Sequence, residues 1–410
     1  MELTFLGGTG EIGSTSMLME TENYKAIFDY GMTPSSPPKY PMKPPIMDYI
    51  FLSHAHLDHS GMIPFLTKQY SIPLIMSEMT FHLAQILLRD NVKICELEGY
   101  PKRYSKGDIR NMDENFFKGN DGSKFKMRKS MATFYSAGHI PGSIMIEIKL
   151  KDGRKMIYTG DLNTIDTRLL VGTHHRQCDI LVMETTYAGR EHELRQKTEL
   201  KFQEKILEVL DRGGQVIVPA FAVGRTQEIL LILADLDLDI WLDGLGKDVT
   251  KLFIREPGFI KDHRKLKKSF DSINKVRTKN QREKAISGEV ILTTSGMLDG
   301  GPVLRYIDEL SQNPKNAILL TGYQVEGSNG RMLMDKGQIK INEELKKVKL
   351  EVEYFDFSAH SGHKELLSFV RGCDPEHLVL YHGENRELLG DELGDDYTIH
   401  YPKIGKTMKI

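Results

Sequence analysis

Cysteine is scarce: the 410 residues hold three, Cys95, Cys178 and Cys373, with no CxxC pair among them. That excludes a disulfide scaffold and a cysteine-built zinc finger, and it fits a reducing, cytoplasmic setting. No run of about 18 apolar residues occurs, so no membrane span is expected. The start, MELTFLGG, has neither a basic region nor an apolar one of signal length, so no secretory leader is expected. Neither sign of charge dominates, since 55 Lys and Arg stand against 57 Asp and Glu for a net −2. This excludes a histone-like polybasic binder but leaves room for a local basic lining on a nucleic-acid site. Repeats and low-complexity tracts are missing as well. What remains is an ordinary globular balance, 40% hydrophobic and 27% charged, at a length suited to two or three domains.

The chain opens with short strands around Leu3–Leu6, Ser16–Met19 and Ala26–Phe28, the last two flanking a polar turn. A proline-rich stretch over 33–45 must be loop, because proline lacks an amide donor. Residues 80–118 read as mainly helical. Strands return between Ala132 and Met183. After Thr186 the pattern becomes strand–helix alternation, with buried strands at 215–218, 290–293 and 317–320, which describes an α/β unit with a mostly parallel sheet. Short strands resume from Val348, around a helix near Lys364–Val370.

The strongest chemical signal is His54-Ala55-His56-Leu57-Asp58-His59 at a strand end. Four imidazole and carboxylate donors in six residues suit Zn²⁺, and no thiolate is offered. Histidines two apart in an extended turn can share one ion, while the Asp–His pair beyond the turn points towards a second. His139, in a small-residue loop, and Asp161, after an apolar strand, stand ready to complete the shells. A carboxylate at Asp161 could bridge two metals. Gly8-Thr9-Gly10-Glu11-Ile12-Gly13 meets the dinucleotide-binding spacing GxGxxG, but β-leaning residues follow it where that motif needs a helix. A tight turn between the first two strands is the better reading.

HxHxDH with a downstream His and a downstream TGD resembles the metallo-β-lactamase superfamily. The resemblance implies a four-layer αβ/βα sandwich. It implies that His54, His56 and His139 hold one zinc, that Asp58 and His59 hold the other, and that Asp161 bridges. Asp29 matches the family's first motif, an aspartate that orients the ligands. His382, after the strand at 377–380, supplies the last ligand. The α/β unit lies between Asp161 and His382, so it reads as an inserted cap. Glu184, His360 and His382 resemble motifs A, B and C of the β-CASP branch. Pro219–Arg225, Thr294–Met297 and Gly322–Gln324 match further. The likeness spans the chain and is similar to the nuclease subunit of the cleavage and polyadenylation specificity factor, its short archaeal homologues and RNase J. The expectation is a catalytic core alone, without K-homology domains before residue 1 or a long tail after residue 410.

The implied organisation is a first metallo-β-lactamase part over 1–186, an inserted β-CASP domain over 187–346 and a return segment over 347–410. The implied activity is zinc-dependent hydrolysis of single-stranded RNA with two Zn²⁺ per chain, as an endonuclease, a 5′-to-3′ exonuclease or both, in mRNA processing or decay, leaving 5′-phosphate and 3′-hydroxyl ends. Asp58, Glu184 and His360 are the expected catalytic residues, His360 being favoured over His363. Ser295, Gly296 and Ser358 are expected to cradle a neighbouring phosphate, and Arg225 is either a phosphate ligand or a structural ion-pair partner. The tract 261–284 carries ten Lys and Arg against three Asp and Glu, either an RNA-facing patch or a solvated helix face. A homodimer is a further expectation. Competing readings are a small-molecule hydrolase, a metal-free RNA-binding scaffold, and a DNA-directed β-CASP nuclease. His382 points towards RNA, because the DNA-repair members generally lack a histidine there.

Overall fold

A computed structural model gives the structure of the chain and describes residues 1–35 and 37–410. The chain divides into two compact units. One comprises Met1–Asp166, Val171–Glu191 and Ala359–Ile410, and the other Thr167–Leu170 and His192–Ser358. The second unit therefore keeps residues 347–358, which the sequence pattern assigns to the return segment. Strand Glu351–Tyr354 pairs in parallel with Ala317–Leu320 of the inserted sheet. Its four residues are all half-buried, as befits an edge strand, and such a pattern does not show which sheet it joins. Among the described residues, no helix is long and apolar enough to cross a membrane.

The first unit is built on two seven-stranded sheets. Alternate residues of each strand point to opposite faces. Phe5, Phe28 and Phe51 of one sheet meet Phe134, Ile146, Tyr158 and Tyr381 of the other in a single buried cluster. Phe28 stacks on Phe51 with ring centroids 5.1 Å apart, a pairing worth about 0.5–1.5 kcal/mol beyond its buried area. Helix His363–Cys373 covers the outer face of the second sheet through Leu366, Leu367 and Val370. Helix Glu78–Glu98 begins at Ser77, whose hydroxyl accepts from the Thr80 amide. The reading of 80–118 as helical stops short at its end, because Phe116–Lys118 is a strand beside Leu74–Met76. Three residues are too few to show a period of two.

Strands Lys25–Phe28, Tyr49–Phe51, Ser130–Ser136, Lys155–Tyr158, Ile180–Glu184 and His377–Tyr381 all finish at one end of the two sheets. Glu184 is the last residue of one of them, and the loops that follow the others carry Asp29, the 54–59 segment, His139, Asp161 and His382. The second unit has a six-stranded, wholly parallel sheet. Val216 and Val218 pack on one of its faces and Ile217 on the other. Both faces are covered, as parallel sheets require.

Candidate metal centre

Asp161 lies at the middle of the cluster. Its Oδ2 is 3.5 Å from His54 Nε2 and 3.6 Å from His139 Nε2. Its Oδ1 is 3.2 Å from His59 Nε2 and 3.6 Å from His382 Nε2. The carboxylate thus divides two donor sets. One set is His54, His56, His139 and Asp161; the other is Asp58, His59, Asp161 and His382. Donors around a tetrahedral cation with bonds of about 2.0–2.1 Å sit roughly 3.3 Å apart. The spacings here fall around that value: His56 Nδ1 is 3.1 Å from His139 Nε2, and Asp58 Oδ2 is 3.7 Å from His59 and 3.6 Å from His382.

The surroundings aim these donors inward. Asp29 is fully buried at φ +56°, a conformation costly for a residue with a side chain. It accepts four hydrogen bonds, from the Ser53 amide (2.7 Å), the Ser53 hydroxyl (2.7 Å), His59 Nδ1 (2.7 Å) and the Tyr158 hydroxyl (2.8 Å). The Ser53 hydroxyl proton is spent on Asp29, so its oxygen accepts from His54 Nδ1 at 3.0 Å. His139 Nδ1 donates to the Ala359 carbonyl at 2.8 Å. His382 Nδ1 meets the Thr15 hydroxyl at 2.8 Å. The contacts of His54, His59 and His139 put a ring proton on Nδ1, and the Nε2 atoms of all four rings face the centre.

Asp161 Oδ1 and the Nε2 atoms of His54, His59 and His382 are indeed buried without a hydrogen-bond partner. Leaving such atoms unpaired costs about 1–3 kcal/mol each, a cost that bound cations remove. The donor chemistry, spacing and orphaned atoms all fit metal. Electrostatics divide the histidines. Burial holds His54 and His139 well below the usual histidine range, keeping them as neutral donors. Burial pushes His59 down too, but Asp161, Asp58 and Asp29 outweigh it and hold it well above that range.

Local sequence explains the placement. A Cβ on Gly31 would lie 1.7 Å from the Asp58 carbonyl oxygen, so only glycine lets the loop after Asp29 lie against the 54–59 turn. Gly142, at φ +87°, closes the His139 loop. Its carbonyl accepts from the Ser77 and Thr80 hydroxyls at 2.6 and 2.9 Å. The glycine-rich 8–13 turn supports the centre as well, since the Gly8 carbonyl accepts the His382 amide at 3.0 Å. Arg386 ties this turn down by donating to the Thr9, Leu380 and Pro402 carbonyls. Sequence reading missed Thr15, Ser53, Tyr158 and the Ala359 carbonyl. Ser53 adjoins His54 and was within reach of a local argument, whereas the others act across 129 to 367 residues of chain and leave no local signal.

Thr15→Val preserves shape and removes the hydroxyl that holds His382. Metal affinity is expected to fall about 10–100-fold, as measured by competition with a chromophoric chelator. Thr15→Ser should restore it. Equal affinity for the valine and wild-type proteins would reject this role.

Beside the two donor sets stands a third group. His360 Nδ1 is 3.0 Å from Glu184 Oε1, and its Nε2 is 4.0 Å from Asp161 Oδ2. Glu184 is fully buried and also accepts the Leu162 and Thr186 amides at 3.0 and 2.9 Å. Burial lowers the His360 pKa, but Glu184 overrides it, with Asp161 and Asp58, and pushes it up to about 9. His363 turns elsewhere: its Nδ1 accepts the Gly189 amide at 2.9 Å and its Nε2 meets Glu392 at 2.8 Å. Arg225, Ser295, Gly296 and Ser358 all belong to the second unit. Arg225 is buried and donates to the Thr321 carbonyl. Ser295 is half-buried, Gly296 is buried, and the Ser358 carbonyl accepts from Arg195 at 3.1 Å.

Family models match three stretches: the metallo-beta-lactamase superfamily over residues 9–219, the Beta-Casp domain over 226–333, and the Zn-dependent metallo-hydrolase RNA specificity domain over 346–395. The chain belongs to the β-CASP branch of the metallo-β-lactamase superfamily. Among its relatives is a protein named probable RNase MJ4 of Methanocaldococcus jannaschii, 37% identical over the whole of both chains. RNase aCSPSF2 of Saccharolobus solfataricus is 33% identical over all of this chain and 85% of that one. Transcription termination factor FttA of Thermococcus kodakarensis is 31% identical over 95% of this chain and 67% of its own. A crystal structure of a protein of unknown function from Enterococcus faecalis V583 shares the fold, with a TM-score of 0.63 at 14% identity over 100% and 99% of the two chains. This β-CASP chain is thus a hydrolytic enzyme of a metal-dependent nuclease family.

Proposed function

We propose that the chain is a ribonuclease holding two Zn²⁺, cutting single-stranded RNA as an endonuclease, a 5′-to-3′ exonuclease, or both. The observation that carries this reading is Asp161 shared between two donor sets, with the His360–Glu184 pair alongside. RNA as substrate rests on the matched RNA specificity region and on the RNase names of relatives. His54, His56 and His139 would hold one ion, Asp58, His59 and His382 the other, with Asp161 between them. Zinc, when bound, supplies Lewis acidity towards a phosphoryl oxygen and a lowered pKa for water.

The chain's own groups handle the rest. Asp58 keeps a fifth of its side chain open (22%), and is placed to orient the attacking water. As that oxygen bonds to phosphorus, the bond from phosphorus to the 3′ oxygen breaks. His360 Nε2 gives its proton to the departing 3′ oxygen, and the proton released by the water restores it. Glu184 holds the imidazolium through Nδ1, so the acid is charged before reaction. The products are a 5′-phosphate and a 3′-hydroxyl.

Purified protein is expected to carry about two zinc equivalents and to lose RNA cleavage on chelation, with recovery on adding zinc. Zinc-free protein that still binds RNA would instead identify a scaffold subunit. End-labelled RNA with 5′-monophosphate and 5′-triphosphate ends separates the two modes. Mononucleotide release sensitive to the 5′ group marks an exonuclease, and defined fragments mark an endonuclease.

A further inference from the structure

The basic tract 261–284 lies wholly in the second unit, and its contacts divide its charges sharply. Its 24 residues carry a net +7 in a chain whose total is −2, leaving −9 on the remainder. All three of its acids are committed. Asp262 caps helix His263–Ser272 through the Lys265 amide, Asp271 pairs with Lys267, and Glu283 faces Arg305. Among the cations, Lys265 pairs with Asp235 and Arg282 with Asp243. Arg264, Lys268, Arg277, Lys279 and Lys284 are exposed, and among the described residues they make no ion pair.

Topology gathers these five along one edge of the parallel sheet. Helix His263–Ser272 leads into the edge strand Asn274–Lys275, which leads into helix Lys279–Ala285. Phe270 and Ile273 pack on one face of the sheet, Val276 and Ala285 on the other, so the two helices flank the edge from both sides. Strands and helices alternate in direction in such a unit. Arg264, Arg277 and Lys279 therefore stand at the carboxyl end of the edge strand, Lys268 partway down and Lys284 towards the far end.

Folding alone does not account for this pattern. Arg264 and Lys279 sit in the first turns of their helices, and neither first turn contains an acid. Cations are disfavoured there by the helix dipole, and Arg264 and Lys268 repel at i,i+4 spacing. Lys267 is neutralised by Asp271 at i,i+4 spacing, as in other helices here, whereas these five are left without such a partner among the described residues. A blocked sheet edge needs one lysine, and Lys275 supplies it.

We propose that this edge is an exosite for the sugar–phosphate backbone of single-stranded RNA. Five bare cations strung along one sheet edge suit an extended polyanion, whose phosphates are read without regard to sequence. The inference rests on the functional reading above, and its test separates the two.

The variant has Gln at Arg264, Lys268, Arg277, Lys279 and Lys284. Among the described residues these side chains make no ion pair, so the fold is expected to survive, which a thermal melt checks. Binding of a fluorescein-labelled 30-nucleotide single-stranded RNA is measured by anisotropy across KCl concentrations, with a 6-nucleotide RNA alongside. Each lost phosphate contact reduces the salt slope by about 0.7. Three or more engaged cations therefore predict a fall of about 2 in slope and about a hundredfold weaker binding of the long RNA at 0.1 M salt. Cleavage of the short RNA at saturation should be unchanged. Neutralising Lys197, Lys201 and Lys251, which pair with Glu193 and Asp248, should leave the long-RNA slope intact. An unchanged slope in the five-site variant, with wild type binding and cutting RNA, overturns the exosite alone. So does a five-site variant that keeps its RNA slope but loses binding to a polyglutamate probe, which would make the edge a dock for acidic protein. A wild type that neither binds nor cuts RNA overturns both readings.

Discussion

Replacing Asp161 with asparagine is expected to lower RNA cleavage at least about a thousandfold, roughly 4 kcal/mol of transition-state stabilisation, and to empty one or both metal positions. The two oxygens of Asp161 serve different donor sets, Oδ2 facing His54 and His139 and Oδ1 facing His59 and His382. An asparagine has one oxygen, so an NH₂ must face one set and cannot bind a cation. The substitution also removes one of two negative charges, Asp58 and Asp161, that stand among the donors. Zinc content by mass spectrometry and single-turnover cleavage of labelled RNA read the two effects separately. A variant holding two zinc equivalents and a tenth of normal turnover would show that Asp161 is not the shared ligand. Loss of RNA binding with metal retained would equally count against it, because no RNA contact is assigned to this side chain.

The legible part of the site was the part written locally. His54 to His59 sit in one turn after one strand, so residue types and spacing alone pointed to a candidate ligand set. His139, Asp161 and His382 are single residues in unrelated loops, and no spacing joins them. His139 and Asp161 stood out only beside the 54–59 segment, and the place of His382 came through resemblance to a family. What holds them was less visible still. The Thr15 hydroxyl and the Ala359 carbonyl serve histidines 367 and 220 residues away, and a backbone carbonyl has no signature in any sequence. The glycine-rich 8–13 segment reads as a turn from its residues alone, but its contact with His382 depends on two sheets meeting, which a strand pattern does not specify. In the fold, the buried parallel strands stood out as continuous apolar runs. Edge elements did not. Strand Phe116–Lys118 has three residues and strand Glu351–Tyr354 is half-buried throughout, so neither period nor hydrophobicity told where they pair.

His360→Ala is expected to cut turnover about 10²- to 10⁴-fold, the usual range for a lost general acid, while the Michaelis constant changes little and both zinc ions stay bound. The split follows from placement. His360 Nε2 is the more distant neighbour of Asp161, at 4.0 Å against 3.2–3.6 Å for the four metal-facing histidine nitrogens around that carboxylate, and its other nitrogen is occupied by Glu184. A proton donor matters when the 3′ oxygen departs and little when substrate binds, so kcat bears the loss. Glu184→Gln should act in the same direction more weakly, because the imidazole remains but loses the charge that holds its proton. Glu184 also receives two backbone amides, so a thermal melt must accompany that variant to separate loosened structure from lost chemistry. An RNA whose scissile 3′ oxygen is replaced by sulfur tests the assignment directly. Sulfur leaves without protonation, so His360→Ala should cut this substrate nearly as fast as wild type does. If the alanine variant instead loses zinc together with activity, His360 is a metal ligand and the acid lies elsewhere. If it stays equally slow on the sulfur substrate with metal in place, the histidine clamps phosphate and delivers no proton.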